Sequence, residues 1–305
     1  MGRRQTEPGW VAVAPVEERV RIVYVVCRDG ERPALRWASA AAWDDPVATL
    51  RGLRRSHGLA ALRKVALLQR PQYQLLPMDA PEIPRDDWRD AARWSLKDTV
   101  DFAMDDAGLA LLDIPNDPAQ RRRASLIAVA APHAQLAPLA AVGADAGMPW
   151  DAIDVPETAL RNIAALTEEA GRAQALLHTS ETHSTLVVTV QGELLLARHI
   201  DVGLRQLSAT DDDTRTQAYE RASLELQRTL DSVERQFSHL SLGRVLVCPG
   251  APLADFISYA SELVYAPVAA LDLADHIDLS AVPELADPAQ QAAYLHAIGA
   301  ALRQS

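Results

Sequence analysis

The sequence predicts a mixed α/β fold, and three observations carry that prediction. Apolar runs of strand length recur along the chain and pair through tight turns, as in WVAV and VRIVYVVC at 10–13 and 20–27, and LVVTV and LLLARHI at 186–190 and 194–200. Between such runs, apolar residues step at helical spacing, at 88–100, 132–147, 156–171 and 217–240. The chain has 305 residues, of which 49% are hydrophobic, enough to bury one large core or two ordinary ones.

In chain order, the first two runs are separated by Pro15, Glu17, Glu18 and Arg19 and read as a hairpin, followed by a short strand at 35–37. Asp45-Pro46 opens a helix over 47–56 with proline in its first turn. From Lys64, KVALLQ and YQLLPMD are strand-like runs split by Arg70-Pro71. A helix follows, with Asp86 as N-cap, Trp88, Ala91, Ala92, Leu96, Thr99 and Val100 inward, and Arg89, Asp90, Arg93 and Lys97 in water. Two strands at 109–114 and 125–130, joined by a polar loop over 115–123, complete a compact α+β unit.

Beyond it the pattern gives a helix at 132–147, a strand at 152–155 and a helix opened by Pro156 with Leu160, Ile163 and Ala164 as its apolar stripe. The hairpin at 186–200 turns at Gln191-Gly192, where glycine permits positive φ. Asp211 to Asp213 read as a polar break before the longest helix, whose Leu226, Leu230, Val233, Phe237 and Leu240 read as a core face in preference to a coiled-coil seam. RVLVCPG is a buried strand, 252–263 a helix, 267–271 a strand. Asp287 and Pro288 open a final helix burying Tyr294, Leu295, Ile298 and Leu302.

Thirty basic residues against 41 acidic give a net charge of -11, so no global field attracts nucleic acid or anionic lipid. The runs RGLRR at 51–55 and RRR at 121–123 lack interleaved aromatics and read as solvated surface. Cys27 and Cys248 sit inside apolar runs, as small core residues in a reducing compartment. With no run of membrane-span length and no apolar stretch in MGRRQTEPGW, the expected location is cytoplasmic.

Chemical motifs are sparse. No HExxH, GxSxG, GxxxxGK[ST] or GxGxxG occurs, and His178 and His183 read as a solvated or hydrogen-bonded pair in preference to metal ligands. The acidic pairs Asp86-Asp87 and Asp105-Asp106 are explained by caps and loops. One stretch stands out: LLHTSETHSTLVVTVQGELLLARHIDVG at 176–203 has the outline of a phosphate-binding hairpin without its glycine and carboxylate.

Four segments together with that stretch carry a resemblance: QYQLLPMDAPEIPRDDWRDAARWSLKDTVDFAMDDAGLALLDIP at 72–115, RASLIAVAAPHAQLAPLAAVGADAGMPWDAIDVPETALRNIAAL at 123–166, SLELQRTLDSVERQFSHL at 223–240 and AYLHAIGAALR at 293–303. On these the chain resembles the PilM family of type IV pilus assembly proteins, most closely its MshI branch from mannose-sensitive haemagglutinin (MSHA) pilus biogenesis, relatives of the cell-division protein FtsA. The resemblance implies an actin-like ATPase fold of two ribonuclease H-like lobes. By it, 1–63 and 132–172 form the first lobe, 64–131 an inserted α+β subdomain, and 173–305 the second lobe with a shortened extra subdomain.

The resemblance further implies a nucleotide cleft between the lobes, with Asp-x-Gly on two hairpins and a glycine loop at the adenine. The corresponding positions here hold Ala14, Pro15 and Val16, then His178, Thr179 and Ser180, then Pro249 and Gly250. Pro15 has no N–H, and an imidazole does not replace a carboxylate beside hydrated magnesium. Thr179, Ser180, Thr182 and Ser184 remain as donors for an anion. The expectation is a pseudo-ATPase with no cofactor and no metal; ATP with magnesium belongs to the competing case of an active ATPase using Glu17 or Glu181.

As a partner, the resemblance implies a PilN-like inner-membrane protein whose cytoplasmic N-terminal peptide lies in a groove between the first lobe and the inserted unit, linking to the pilus assembly ATPase. Trp94, Asp98 and Phe102 are the groove candidates, with core packing the competing reading for the two aromatics. A GspL-like secretion module and a filament-forming actin homologue are also compatible with the same fold.

Overall fold

The computed structural model describes residues 9–115 and 124–303. The RRR run, most of the loop at 115–123 and the first eight residues therefore lie outside the described residues.

β1 (Gly9–Val16) and β2 (Arg19–Val26) pair antiparallel around the turn Glu17-Glu18, with Glu17 at φ 53. β3 (Ala34–Ala42) adds to β2 and runs well past its predicted apolar core, as an alanine-rich edge strand. α1 (Pro46–His57) is capped by Asp45, whose carboxylate accepts from the Ala48 N–H at 2.9 Å. β4 (Arg63–Leu67) returns parallel to β1.

A separate unit follows: β5 (Gln74–Asp79), α2 (Trp88–Leu96), β6 (Ala107–Asp113) and β7 (Ser125–Pro132), the strands ordered β5-β7-β6. α3 (His133–Asp145) leads back to β8 (Ala152–Asp154) beside β4, and α4 (Pro156–Thr167) ends the first lobe, whose sheet runs β3-β2-β1-β4-β8.

The second lobe repeats the plan. β9 (Arg172–Thr179), β10 (Ser184–Val190) and β11 (Glu193–Ile200) form an antiparallel meander; α5 (Leu204–Leu207) and α6 (Asp212–Gln236) follow. β12 (Ser241–Cys248), α7 (Ala254–Leu263) and β13 (Val268–Ala270) complete a sheet ordered β11-β10-β9-β12-β13. Gln191 at φ 54 and Gly192 at φ 78 both adopt the left-handed geometry that a two-residue hairpin turn needs.

After α8 (Pro288–Gln291), α9 (Leu295–Ala301) crosses back to the first lobe, packing on β1, β2 and α4. The crossing is close because Gly299 has no side chain: a Cβ there would stand 2.1 Å from the Ala159 carbonyl oxygen. One continuous core holds the lobes together, running from Val23 and Val65 through Leu160 and Ile298 to Leu176 and Val187.

Several expectations need correction. The run from Lys64 belongs to the first sheet as β4, so the inserted sheet begins at Gln74, not at 64. Asp86 is not the helix cap: a 3-10 turn (Arg85–Asp87) precedes α2, and Asp87 holds the N-cap position without a side-chain bond. α2 stops at Leu96, before Thr99 and Val100, and Arg93 is half-buried, donating to the Met104 carbonyl. Asp211 to Asp213 begin the long helix instead of breaking the chain, since Asp211 accepts from Thr214 N–H at 2.8 Å and its neighbours occupy the first turn. The terminal helix is two pieces separated by a 3-10 turn that leaves Tyr294 half-buried.

Candidate functional site: the cleft between the lobes

The two duplicated hairpins and the end of β12 point into the joint between lobes, where the sequence placed its degenerate positions. At the first hairpin, Ala14 and Pro15 are buried while Val16 stands exposed. Pro15 has no N–H to offer, and its carbonyl accepts from the Gln69 side-chain amide of the loop after β4.

The second hairpin closes on itself. The Ser180 hydroxyl donates to the His183 carbonyl at 2.9 Å, and its N–H bonds the same oxygen at 2.8 Å. The Ser184 hydroxyl lies 2.7 Å from the Val202 carbonyl and 3.0 Å from Thr179 Oγ1, all in buried surroundings. Thr182 Oγ1 sits 3.2 Å from His183 Nδ1. The hydroxyls expected to serve an anion are thus engaged in holding the turn. Gly203 approaches so closely that a Cβ would meet Glu181 O at 2.5 Å, which seals the turn from behind.

His178, where the resemblance implies a carboxylate, is 6% exposed and packs edge-on against His296 of α9 with ring centroids 4.4 Å apart. Burial first, and the neighbouring His296 second, hold its imidazole well below the usual histidine range. Burial pushes His296 down to about 4, and its Nε2 has no hydrogen-bond partner among the described residues. His183 is lowered too, by burial and then by His199, whose ring lies 4.7 Å away. The expected pair of His178 with His183 is therefore two pairs, each made with a histidine from another element.

Lobe one presents an ion pair to this cluster. Glu157, 1% exposed in the first turn of α4, accepts from Arg70 Nη2 at 2.7 Å and Nε at 3.0 Å, and from the Tyr73 hydroxyl. Neither Arg70 nor Glu157 was visible as a site in the sequence. Their signal was confined to two Pro-bearing breaks, Arg70-Pro71 and Pro156-Glu157.

At the end of β12, where the resemblance implies an adenine loop, Cys248, Pro249 and Gly250 are all buried. Burial raises the Cys248 thiol to about 12, so it stays protonated. A Cβ on Gly250 would stand 2.5 Å from Ala270 Cβ, so this glycine serves packing against β13. Taken together, the residues at the three positions do not fit a magnesium nucleotide. The hydroxyls at 180 and 184 are spent on hydrogen bonds within the fold, and no carboxylate stands where the resemblance implies one. Among the described residues, no three His, Cys, Asp or Glu side chains converge as a metal site.

The groove candidates do not come together. Trp94 is 72% exposed with Lys97 Nζ 5.3 Å from its ring centre, Asp98 is exposed, and Phe102 packs inward beside Leu96 and Met104. The inserted sheet instead has two apolar faces. Leu76 and Met78 lie with α2, while Leu75, Pro77 and Ile127 line a cleft of about 810 Å³ whose far wall carries Leu196, Arg198 and Phe237 of the second lobe. The alternation of QLLPMD held that signal, since both of its faces are apolar.

Two sheets of identical strand order, joined by crossing helices and sharing one core, define an actin-like ATPase fold. Solved structures agree: the PilM–PilN type IV pilus biogenesis complex superposes with a TM-score of 0.73 over 98% of this chain and 99% of that one, at 17% identity. A protein with an actin-like ATPase fold from Bacteroides thetaiotaomicron aligns more loosely, with a TM-score of 0.47 and 6% identity over 92% of this chain and 96% of that one. The cytoplasmic domain of EpsL, an inner membrane component of the type II secretion system of Vibrio cholerae, gives 0.44 and 13% over 67% and 75%. No protein-family model matches the chain, and no curated protein does. At these identities the likeness is one of fold.

Proposed function

We propose that this protein is a catalytically inert actin-like scaffold of a type IV, MSHA-type, pilus assembly machine, held at the cytoplasmic face of the inner membrane by the N-terminal peptide of a PilN-like partner. The observation that carries this reading is the end-to-end superposition on the PilM–PilN complex, inserted unit included. Inertness is supported by the cleft: phosphoryl transfer depends on metal-organising carboxylates and free donors, and here the hydroxyls and Gly250 are committed to packing. A peripheral location is consistent with the finding that, among the described residues, no helix is long and apolar enough to cross a membrane.

The cleft between the inserted sheet and β11 is the seat we assign to the peptide, because it is concave and sets the apolar side chains of Leu75, Ile127, Leu196 and Phe237 beside polar ones, with Arg198 and Asp79 as its charges. Calorimetry tests the reading directly. A synthetic peptide matching the cytoplasmic N-terminus of a PilN-like protein is expected to bind with micromolar affinity, and ATP with magnesium to give neither saturable heat nor phosphate release. Absence of peptide binding overturns the scaffold reading; turnover of ATP overturns inertness.

A further inference from the structure

Four histidines from four places in the chain meet where the lobes join. His178 lies near the end of β9 and His183 sits in the turn beyond it; His199 lies on β11, and His296 on α9, which is packed on the first-lobe strands β1 and β2. The contact of His178 with His296 at 4.4 Å therefore spans the two lobes, and His183, whose ring is 4.7 Å from that of His199, is near enough to act electrostatically on both. All four rings are buried or half-buried, and Nε2 of His296 and Nδ1 of His199 have no hydrogen-bond partner among the described residues.

The charged groups facing the cluster offer little compensation for added protons. From the loop after β4 comes the cation Arg70, which acts on His183 unfavourably. From α4 comes Glu157, already bound by Arg70 and Tyr73. After β11, Asp201 reaches His199 at 3.2 Å but is itself 83% exposed. In the turn, Glu181 is paired with Arg205, and at the foot of α9 a backbone bond to Ala292 is what His178 has. Each proton added to one imidazole raises the cost of the next, because like charges at ring-contact distance repel in a poorly hydrated site.

We propose that His178, His183 and His296 form an acid-sensitive latch between the lobes: the neutral rings hold the cleft closed, and protonation opens it. Opening separates His178 from His296 and lets water reach the rings, so the open state binds more protons and is favoured as pH falls. The latch requires neither nucleotide nor partner, and stands independently of the scaffold reading.

Small-angle scattering of the full chain from pH 8 to pH 5, with far-UV circular dichroism on the same samples, tests it. The expected result is a rise of a few per cent in radius of gyration between pH 6.5 and pH 5 with the dichroism spectrum unchanged. His296→Phe keeps the edge-on ring contact without a titrating group, and is expected to move the midpoint of the rise at least half a pH unit lower. His183→Gln, at a half-buried position, moves it in the same direction, while His133→Gln outside the cluster leaves it where it is. A radius that stays constant to pH 5 in a folded wild type, or an unchanged midpoint in both His296→Phe and His183→Gln, overturns the latch.

Discussion

Arg70 and Glu157 tie the loop after β4 to the first turn of α4 through two hydrogen bonds to one carboxylate oxygen, at 2.7 and 3.0 Å, while Tyr73 takes the other. Glu157 is 1% exposed, so its charge is tolerable only with these partners. Burial and the adjacent carboxylate push the Tyr73 phenol far up, which keeps it a donor at any working pH. Arg70→Ala should therefore cost about 3 kcal/mol, the lower end for a buried charge left alone, since Arg70 itself reaches solvent. Tyr73→Phe should cost about 1–2 kcal/mol. Urea denaturation of the two variants checks the ranking, and a smaller loss in Arg70→Ala than in Tyr73→Phe contradicts it.

The α4–α9 crossing rests on backbone contact. Asn162 Nδ2 donates to the Gly299 carbonyl at 2.8 Å, and Ala159 fills the space where a Cβ on Gly299 would lie. Gly299→Ala normally gains helix propensity of about 1 kcal/mol, but here it must force the two helices apart. A net destabilisation of about 2 kcal/mol or more is expected in chemical denaturation. Gly52→Ala in α1, where no described atom outside the helix backbone stands within 4 Å, is the matched control and should stabilise. Equal effects at the two sites would show that the crossing is not close-packed.

The local features of this fold are legible in the sequence, and the pairings across distance are not. Alternation and turn chemistry locate both hairpins, because register and twist are settled within about twenty residues. The assignment of KVALL to the inserted unit fails for a different reason. A strand's own residues do not say whether it pairs with Gln74–Asp79 nearby or with Gly9–Val16 in the first sheet, and β4 chooses the latter. Acidic residues mislead at Asp211 to Asp213, where a loop-like triplet is a cap and a first turn facing the helix dipole. That histidine and serine stand at 178 and 180, where the resemblance implies a carboxylate and a glycine, is visible from residue type alone. His296 is not, since nothing in AYLHAIGAALR marks it as the neighbour of His178.

Acid should weaken the folded protein through the same buried rings. The folded-state value of His296, about 4, lies below the ordinary 6.5, so the unfolded chain binds more protons between these limits. Its contribution is therefore fully present above pH 6.5 and is lost as pH falls towards 4, by on the order of 3 kcal/mol in total. His178 is shifted the same way and adds to the slope. Denaturation midpoints from pH 8 to pH 5 should fall steadily in the wild type. They should fall less steeply in His296→Phe, and an identical slope in the two would remove His296 from the account.

The seat of the partner peptide can be decided by two substitutions on opposite sides of the inserted sheet. Leu75 faces the 810 Å³ cleft shared with β11 and α6, whereas Trp94 projects from α2 with 72% of its surface exposed. Leu75→Asp places a charge among Ile127, Leu196 and Phe237, where an apolar peptide side chain would otherwise sit. It should weaken peptide binding by about tenfold or more, equivalent to about 1.4 kcal/mol. Trp94→Ala removes a large exposed anchor and should leave binding unchanged if the cleft is the seat. Calorimetric titration of both variants, with dichroism confirming that each is folded, separates the two faces. Loss of binding in Trp94→Ala with retention in Leu75→Asp would move the seat to the outer face of α2, beside Asp98, and leave the cleft without its assigned ligand.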